Sequence, residues 1–244
     1  MTSSILVTGG TGLLGSHVVP LLDADVRILS RRTANSRCVT GDLLTGEGLD
    51  AAVAGIDTIM HLAGGQKGDD VATRNLVEAA ARAGVRHVVY ISVIGADRVP
   101  LGWMRMKLAA ERAVAESGLP WTTLRAAQFH DLVYKTVRTM ARLPVVPVPG
   151  GLRFQPVDAG DVAARLVELA LSEPAGLVPD MAGPAVYPIG DLIKSYLDKQ
   201  RKRRPMLPVR VPGKVGRAYR AGANLTLHGA TLGHRTWEEF LRAA

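Results

Sequence analysis

The stretch 8-TGGTGLLGSH-17 decides how the chain is read. It follows the apolar run 4-SILVT-8 and opens a helix-like pattern over roughly 12–22. Gly9, Gly12 and Gly15 give the spacing G-x-x-G-x-x-G, and each glycine answers a different physical need. The first permits a tight turn, the second lets backbone N–H groups approach a pyrophosphate, and the third lets helix and strand pack closely. A helix start adds orphan N–H donors and a positive dipole end. In this strand–turn–helix context Gly9, Thr11, Gly12, Leu13, Leu14 and Gly15 are expected to cradle a dinucleotide.

Working outward, strand-like runs recur at 25-DVRIL-29, 37-RCVTG-41, 56-IDTIMHL-62, 86-RHVVYIS-92 and 121-WTTLR-125. Helical patterns fall over 69–83 and 103–117. Apolar strands separated by crossover helices predict a parallel sheet covered on both faces, an α/β doubly wound sheet of Rossmann type. After about residue 128 prolines and glycines gather, with helices expected over 158–172, 189–200 and 236–242. The chain is read as one domain, 1–244, with 128–157 and 175–244 forming a small C-terminal substrate cap. Thr236 and Glu239 have the spacing of a capping box.

The end of the second strand, 28-ILSRRT-33, carries no carboxylate to hold ribose hydroxyls. Ser30, Arg31 and Arg32 suit a 2′-phosphate instead, which favours NADP(H) and leaves NAD(H) open. Asp42 and Leu43, after the third strand, are candidates for the adenine, with plain turn chemistry as the alternative. Leu62, Ala63 and Gly64 close the fourth strand with residues small enough for a cofactor to lie against backbone.

Bulk properties exclude other classes. The chain has 244 residues, 47% hydrophobic and 21% charged, as in ordinary globular domains. No apolar run is long enough for a membrane span, and Met1–Ser4 has no leader pattern. The single cysteine, Cys38, fits a reducing cytoplasm. The net charge of +8 peaks at 199-KQRKRR-204, but no interleaved aromatics or zinc-ligand spacing accompany it. Neither nucleic-acid binding nor a metal site is expected.

The segments 8-TGGTGLLG-15, 61-HLAGG-65, 75-NLVEAAARAGVRHVVYIS-92, 107-KLAAERAVAESGLPWTTLR-125 and 155-QPVDAGDVAARLVELAL-171 together resemble the short-chain dehydrogenase/reductase superfamily. The likeness is to its extended and atypical branches, and most to the NmrA-like NAD(P)-binding group. That family commonly uses a Ser-Tyr-Lys set. Lys107 matches the lysine, but Trp103 stands at the tyrosine position and Val93 at the serine position, with Ser92 one place earlier. Indole N–H is a donor that does not titrate, so Trp103 cannot shuttle a proton. The resemblance implies that Lys107 holds the nicotinamide ribose, or also moves a proton as in isoflavone reductase-like relatives; snorkelling to solvent is the bland alternative. Ser92 is grouped with the cofactor-binding residues. Val93, Trp103, Gln128, Phe129 and His130 are candidate substrate contacts, and His130 is a second candidate acid or base. His61 is expected to be a satisfied interior residue, and Asn75 a support for the site's backbone.

The expected function is an NADPH-dependent oxidoreductase passing hydride to a small electron-poor acceptor such as a quinone or activated enone. The alternative is a non-catalytic NADP(H)-sensing regulator with a protein partner; an isomerase is a third reading. The resemblance leaves homodimer and monomer both open.

Overall fold

The computed structural model describes residues 4–32, 36–65 and 67–244. Met1–Ser3, on which the expectation of no leader partly rests, and Thr33 of the second-strand motif lie outside the described residues. In chain order the main elements are β1 (Ser4–Thr8), α1 (Leu13–Val18), β2 (Asp25–Ser30), β3 (Cys38–Thr40), α2 (Leu49–Val53), β4 (Thr58–His61), α3 (Asp69–Ala83), β5 (His87–Val93), α4 (Gly102–Ala115), β6 (Trp121–Ala126), α5 (His130–Met140), α6 (Ala159–Ala170), α7 (Ile189–Lys199), α8 (Gly213–Arg220) and α9 (Trp237–Ala243).

Two compact units emerge. The first comprises residues up to Ser92, Gly102–Arg125 and Val162–Val178. Its strands run β3-β2-β1-β4-β5-β6, with Gly176–Leu177 pairing in parallel with Thr122–Thr123 of β6. The ladders β1–β2, β2–β3, β1–β4 and β4–β5 are all parallel. Strand order reverses between β1 and β4, where Thr8 sits beside His61. Doubly wound sheets bind ligands outside the carboxyl ends of strands at such a reversal. The core includes Leu6, Leu29, Ile59, Leu76, Val88, Tyr90, Ala110 and Val114. Glu111 of α4 and Arg125 of β6 form a bidentate pair at 2.9 and 2.7 Å.

Local chemistry explains the boundaries. Residues 12–22 were expected as one helix, but α1 ends at Val18 and tightens into a 3-10 turn over Val19–Leu21. Pro20 has no N–H with which to continue the α-helical ladder. α3 ends at Gly84, whose φ of +71 lets its N–H reach the Ala80 and Ala81 carbonyls.

The second unit comprises Val93–Leu101, Ala126–Asp161 and Pro179–Ala244. Its core joins Val133 and Val137 of α5, Leu192, Ile193, Tyr196 and Leu197 of α7, and Trp237, Phe240 and Leu241 of α9. Residues 146–149 and 206–209 pair as a short parallel ladder. The capping box at Thr236 and Glu239 forms as expected.

Candidate active site

The glycine turn is built at close quarters. Gly9 has φ +71, and a Cβ there would lie 2.6 Å from the Ala63 nitrogen and 2.9 Å from the Leu62 carbonyl carbon. A Cβ at Gly15 would lie 2.3 Å from the Gly9 oxygen and 2.5 Å from the Gly10 Cα. The Gly12 N–H donates to the Gly9 carbonyl at 2.9 Å. Thr11, Gly12 and Leu13 are exposed at the start of α1, whereas the Leu14 side chain is buried, which leaves only its main chain for a ligand. Thus the expected glycine, 62–63 and α1 residues do meet, and a turn that excludes side chains beside exposed backbone fits a pyrophosphate.

Arg31 and Arg32 are exposed just past β2, and the Arg32 N–H donates to Ser30 Oγ at 3.2 Å. Asp42 Oδ1 accepts the Leu44 N–H at 2.7 Å, so one of its oxygens serves a local turn. Asn75 Nδ2 donates to the Leu43 and Leu44 carbonyls at 2.8 and 3.0 Å, which fixes that same loop from α3.

Lys107, on α4, does not snorkel. Its side chain is 13% exposed and its Nζ lies 2.9 Å from Asp69 Oδ2, itself on a side chain 8% exposed. Nζ also donates to the Tyr90 hydroxyl at 3.4 Å and stands 5.3 Å from that ring's centroid. A Cβ at Gly64 would come within 3.0 Å of Nζ, so the ammonium lies against the 62–65 segment. Asp69 Oδ1 accepts the Gly65 N–H at 2.6 Å, which ties that segment to the first residue of α3. Asp69 and Tyr90 were not singled out from the sequence. An acidic residue opening a helix reads as ordinary dipole pairing, and a tyrosine inside an apolar strand reads as core.

Beneath this pair runs a hydrogen-bonded chain. The Ala63 N–H donates to Thr8 Oγ1 at 3.2 Å, and Thr8 Oγ1 meets His61 Nδ1 at 2.7 Å. His61 Nε2 meets Thr73 Oγ1 at 3.0 Å, and Thr73 donates to the Asp69 carbonyl at 2.7 Å. Thr73 spends its proton on Asp69, so it must accept from Nε2–H; Nδ1 then accepts from Thr8. Burial, with the nearby Lys107 charge adding to it, pushes the His61 pKa down to about 3. His61 is therefore neutral and satisfied, and its ring stacks on Tyr90 at 5.3 Å. Burial, helped by the Asp69 and Glu111 carboxylates, pushes the Tyr90 phenol well above its usual range.

The remaining expected residues divide between the two units, Ser92 and Trp103 in the first and Val93, Gln128, Phe129 and His130 in the second. Ser92 is buried and its hydroxyl has no hydrogen-bond partner among the described residues; Trp103 is half-buried on α4. Within the second unit, Val93 ends β5. Gln128 accepts the Val157 N–H through its main chain, while both amide atoms of its side chain are buried without a hydrogen-bond partner among the described residues. Phe129 is half-buried and N-caps α5. His130, the second candidate acid or base, is the first residue of α5, a helix the sequence reading did not expect, and is fully buried. Its ring sits 5.1 Å from Phe240 and 6.0 Å from Trp237, with Nδ1 3.9 Å from Asp158 Oδ2. Burial lowers its pKa against the opposing pull of Asp158. Asp158 also takes the Arg235 guanidinium at 2.9 Å. Among the described residues no cluster of His, Cys, Asp and Glu is suited to a metal, and no helix is long and apolar enough to cross a membrane.

A glycine-turn cradle at the reversal point of a parallel sheet defines a Rossmann-type dinucleotide-binding protein. The family described as NAD(P)H-binding matches residues 9–173, and the chain belongs to it. The chain is 34% identical over 187 residues to an NAD(P)H azoreductase from Xenophilus azovorans, covering 70% of this chain and 64% of that one. It is 35% identical over 175 residues to a (4-alkanoyl-5-oxo-2,5-dihydrofuran-3-yl)methyl phosphate reductase from Streptomyces griseus, covering 67% and 61%. The fold is shared with an Escherichia coli NADPH-dependent quinone oxidoreductase solved with NADPH, at a TM-score of 0.84 and 19% identity over 98% of this chain and 99% of that one. The matched stretches span about half to two thirds of the curated relatives' own lengths.

Proposed function

We propose that the protein is an NADPH-dependent reductase that passes hydride to a small electron-poor acceptor, such as a quinone or an activated enone. The observation that carries this is the Lys107 ammonium, held at 2.9 Å by Asp69 against the 62–65 segment that meets the glycine turn. When bound, the reduced nicotinamide supplies the hydride. An ammonium has three donors. The Tyr90 hydroxyl takes one and the Asp69 carboxylate faces the ammonium at 2.9 Å, which leaves a donor to hold a ribose hydroxyl. Gly9 and Gly15 permit the tight, closely packed turn that presents the exposed backbone of Gly12 to a pyrophosphate, and Arg31 and Arg32 complement a 2′-phosphate.

The proton side of the site is weak. Trp103 does not titrate, His61 is neutral and fully hydrogen-bonded, and the Tyr90 phenol is buried. An acceptor that delocalises its own developing charge needs little acid catalysis. That requirement favours quinones and activated alkenes over simple ketones, and the names of the azoreductase and dihydrofuranone reductase relatives agree with it. The test is loss of nicotinamide absorbance with a panel of quinones and enones, alongside direct NADPH titration. Turnover with at least one acceptor is expected. Tight NADPH binding with no turnover on any acceptor would favour a sensor of the NADP(H) pool.

A further inference from the structure

The chain's charge is unevenly placed. The 39 residues from Lys199 to Trp237 hold ten of the thirty Lys and Arg and none of the twenty-two Asp and Glu, leaving twenty basic against twenty-two acidic residues elsewhere. The whole positive excess thus belongs to one stretch of the second unit, and none of the residues assigned to the dinucleotide cradle lies in that stretch. Arg201, Lys202, Arg203 and Arg204 are all exposed. The acidic side chain nearest in sequence, Asp198, is held by Lys194 at 2.6 Å.

Apolar side chains are exposed beside this run. Residues 206–209 pair with 146–149 so that Leu207 lies beside Pro147, and the Val146 N–H donates to the Pro205 carbonyl at 2.9 Å. The ladder therefore sets 201-RKRRP-205 next to 142-RLPV-145, the turn leaving α5. Along these segments and the strand 206–209 that follows, Leu143 is 45%, Val145 46% and Leu207 56% exposed, with Arg142 and Arg210 also in the open.

We propose that this edge docks peripherally on an anionic membrane surface, with the arginines against headgroups and Leu143, Val145 and Leu207 in the acyl boundary. Basic residues alone would suit a nucleic acid equally. Nucleic acid offers no apolar phase for leucine and valine, and it favours aromatic platforms. The aromatics of the segment are not offered: Tyr219 packs on Phe154 at 6.0 Å and Trp237 is buried. A basic rim around exposed aliphatic tips is the signature of interfacial binding. The inference is independent of the reductase reading.

The test is co-sedimentation of the purified chain with vesicles of phosphatidylcholine alone or with about a third phosphatidylglycerol. Binding only to the anionic vesicles, weakening with salt, is expected. Each basic residue near such a surface is worth about fivefold in binding, so Arg203→Gln with Arg204→Gln should lower the affinity about thirtyfold. Leu207→Ser should lower it several-fold with no change of charge. Arg112→Gln, on α4 of the first unit, should leave it unchanged, and all variants should keep the wild-type melting temperature. No binding to anionic vesicles at low salt overturns the proposal. So does tighter binding to a single-stranded oligonucleotide that Leu207→Ser leaves untouched.

Discussion

Removing either partner of the Lys107–Asp69 pair should strand the other in a place with little water. Asp69→Asn keeps an oxygen to accept the Gly65 N–H but removes the charge facing Nζ; Lys107→Met keeps the stem and removes the ammonium. Breaking a buried pair by deleting one partner costs roughly 3–5 kcal/mol. Because these side chains remain 13% and 8% exposed, the lower end applies, about 3 kcal/mol for each single variant. The double variant strands no charge, so it should lose less than either single variant, a coupling of at least about 3 kcal/mol. Urea unfolding of the four proteins, followed by far-ultraviolet circular dichroism, measures this cycle. Lys107→Met should also weaken NADPH binding, since the ribose loses its donor. Single-variant losses that simply add, with coupling below about 0.5 kcal/mol, would show that the pair is not the unit described.

Three further outcomes are expected. Gly15→Ala must push a Cβ into the Gly9 carbonyl, so NADPH binding should fall at least tenfold and stability by about 1–3 kcal/mol, as for overpacked sites; wild-type titration and melting would contradict the cradle. Arg31→Ala with Arg32→Ala should weaken NADPH at least tenfold and leave NADH nearly unchanged, since charge-assisted bonds to the 2′-phosphate contribute about 1.5–3 kcal/mol each; calorimetry with both cofactors decides it. His61 has its folded pKa depressed to about 3, so the unfolded chain takes up a proton first as the pH falls. Its contribution is present above about pH 6.5 and is lost between there and about pH 3, at roughly 1.4 kcal/mol per pH unit. His130 and His87 act in the same direction, so the comparison is between wild type and His61→Gln. The variant's stability should depend on pH less steeply by one proton across that window, and parallel curves would refute the assignment.

What the sequence disclosed follows from the range of the forces involved. The turn at 9–15 is local chemistry, and β1, β5 and β6 emerge within a residue or so of their expected bounds because apolar runs between polar turns are local signals. Lys107 stood out because it matches the lysine of the Ser-Tyr-Lys set. Its partners did not, since Asp69 and Tyr90 lie far from it in sequence and are brought to it only by the packing of α3, α4 and β5. The helix α5 was missed for another reason. Its apolar positions Val133 and Val137 face α7 and α9 of the second unit, while the neighbouring proline and glycine clusters suggest loop. The sequence reading placed His130 among the candidate substrate contacts after β6, whereas in the structure its ring packs against Phe240 and Trp237. Asp42 shows the converse: its turn chemistry was legible as an alternative, and its hydrogen bond to Leu44 realises it.

The most direct measurement is NADPH oxidation by quinones and activated enones with wild type and Lys107→Ala side by side, each checked for NADPH binding. The expected result is turnover by the wild type that collapses in the variant at saturating NADPH. Unchanged turnover in Lys107→Ala, or none from either protein despite tight NADPH binding, would contradict a reduction site organised around Lys107.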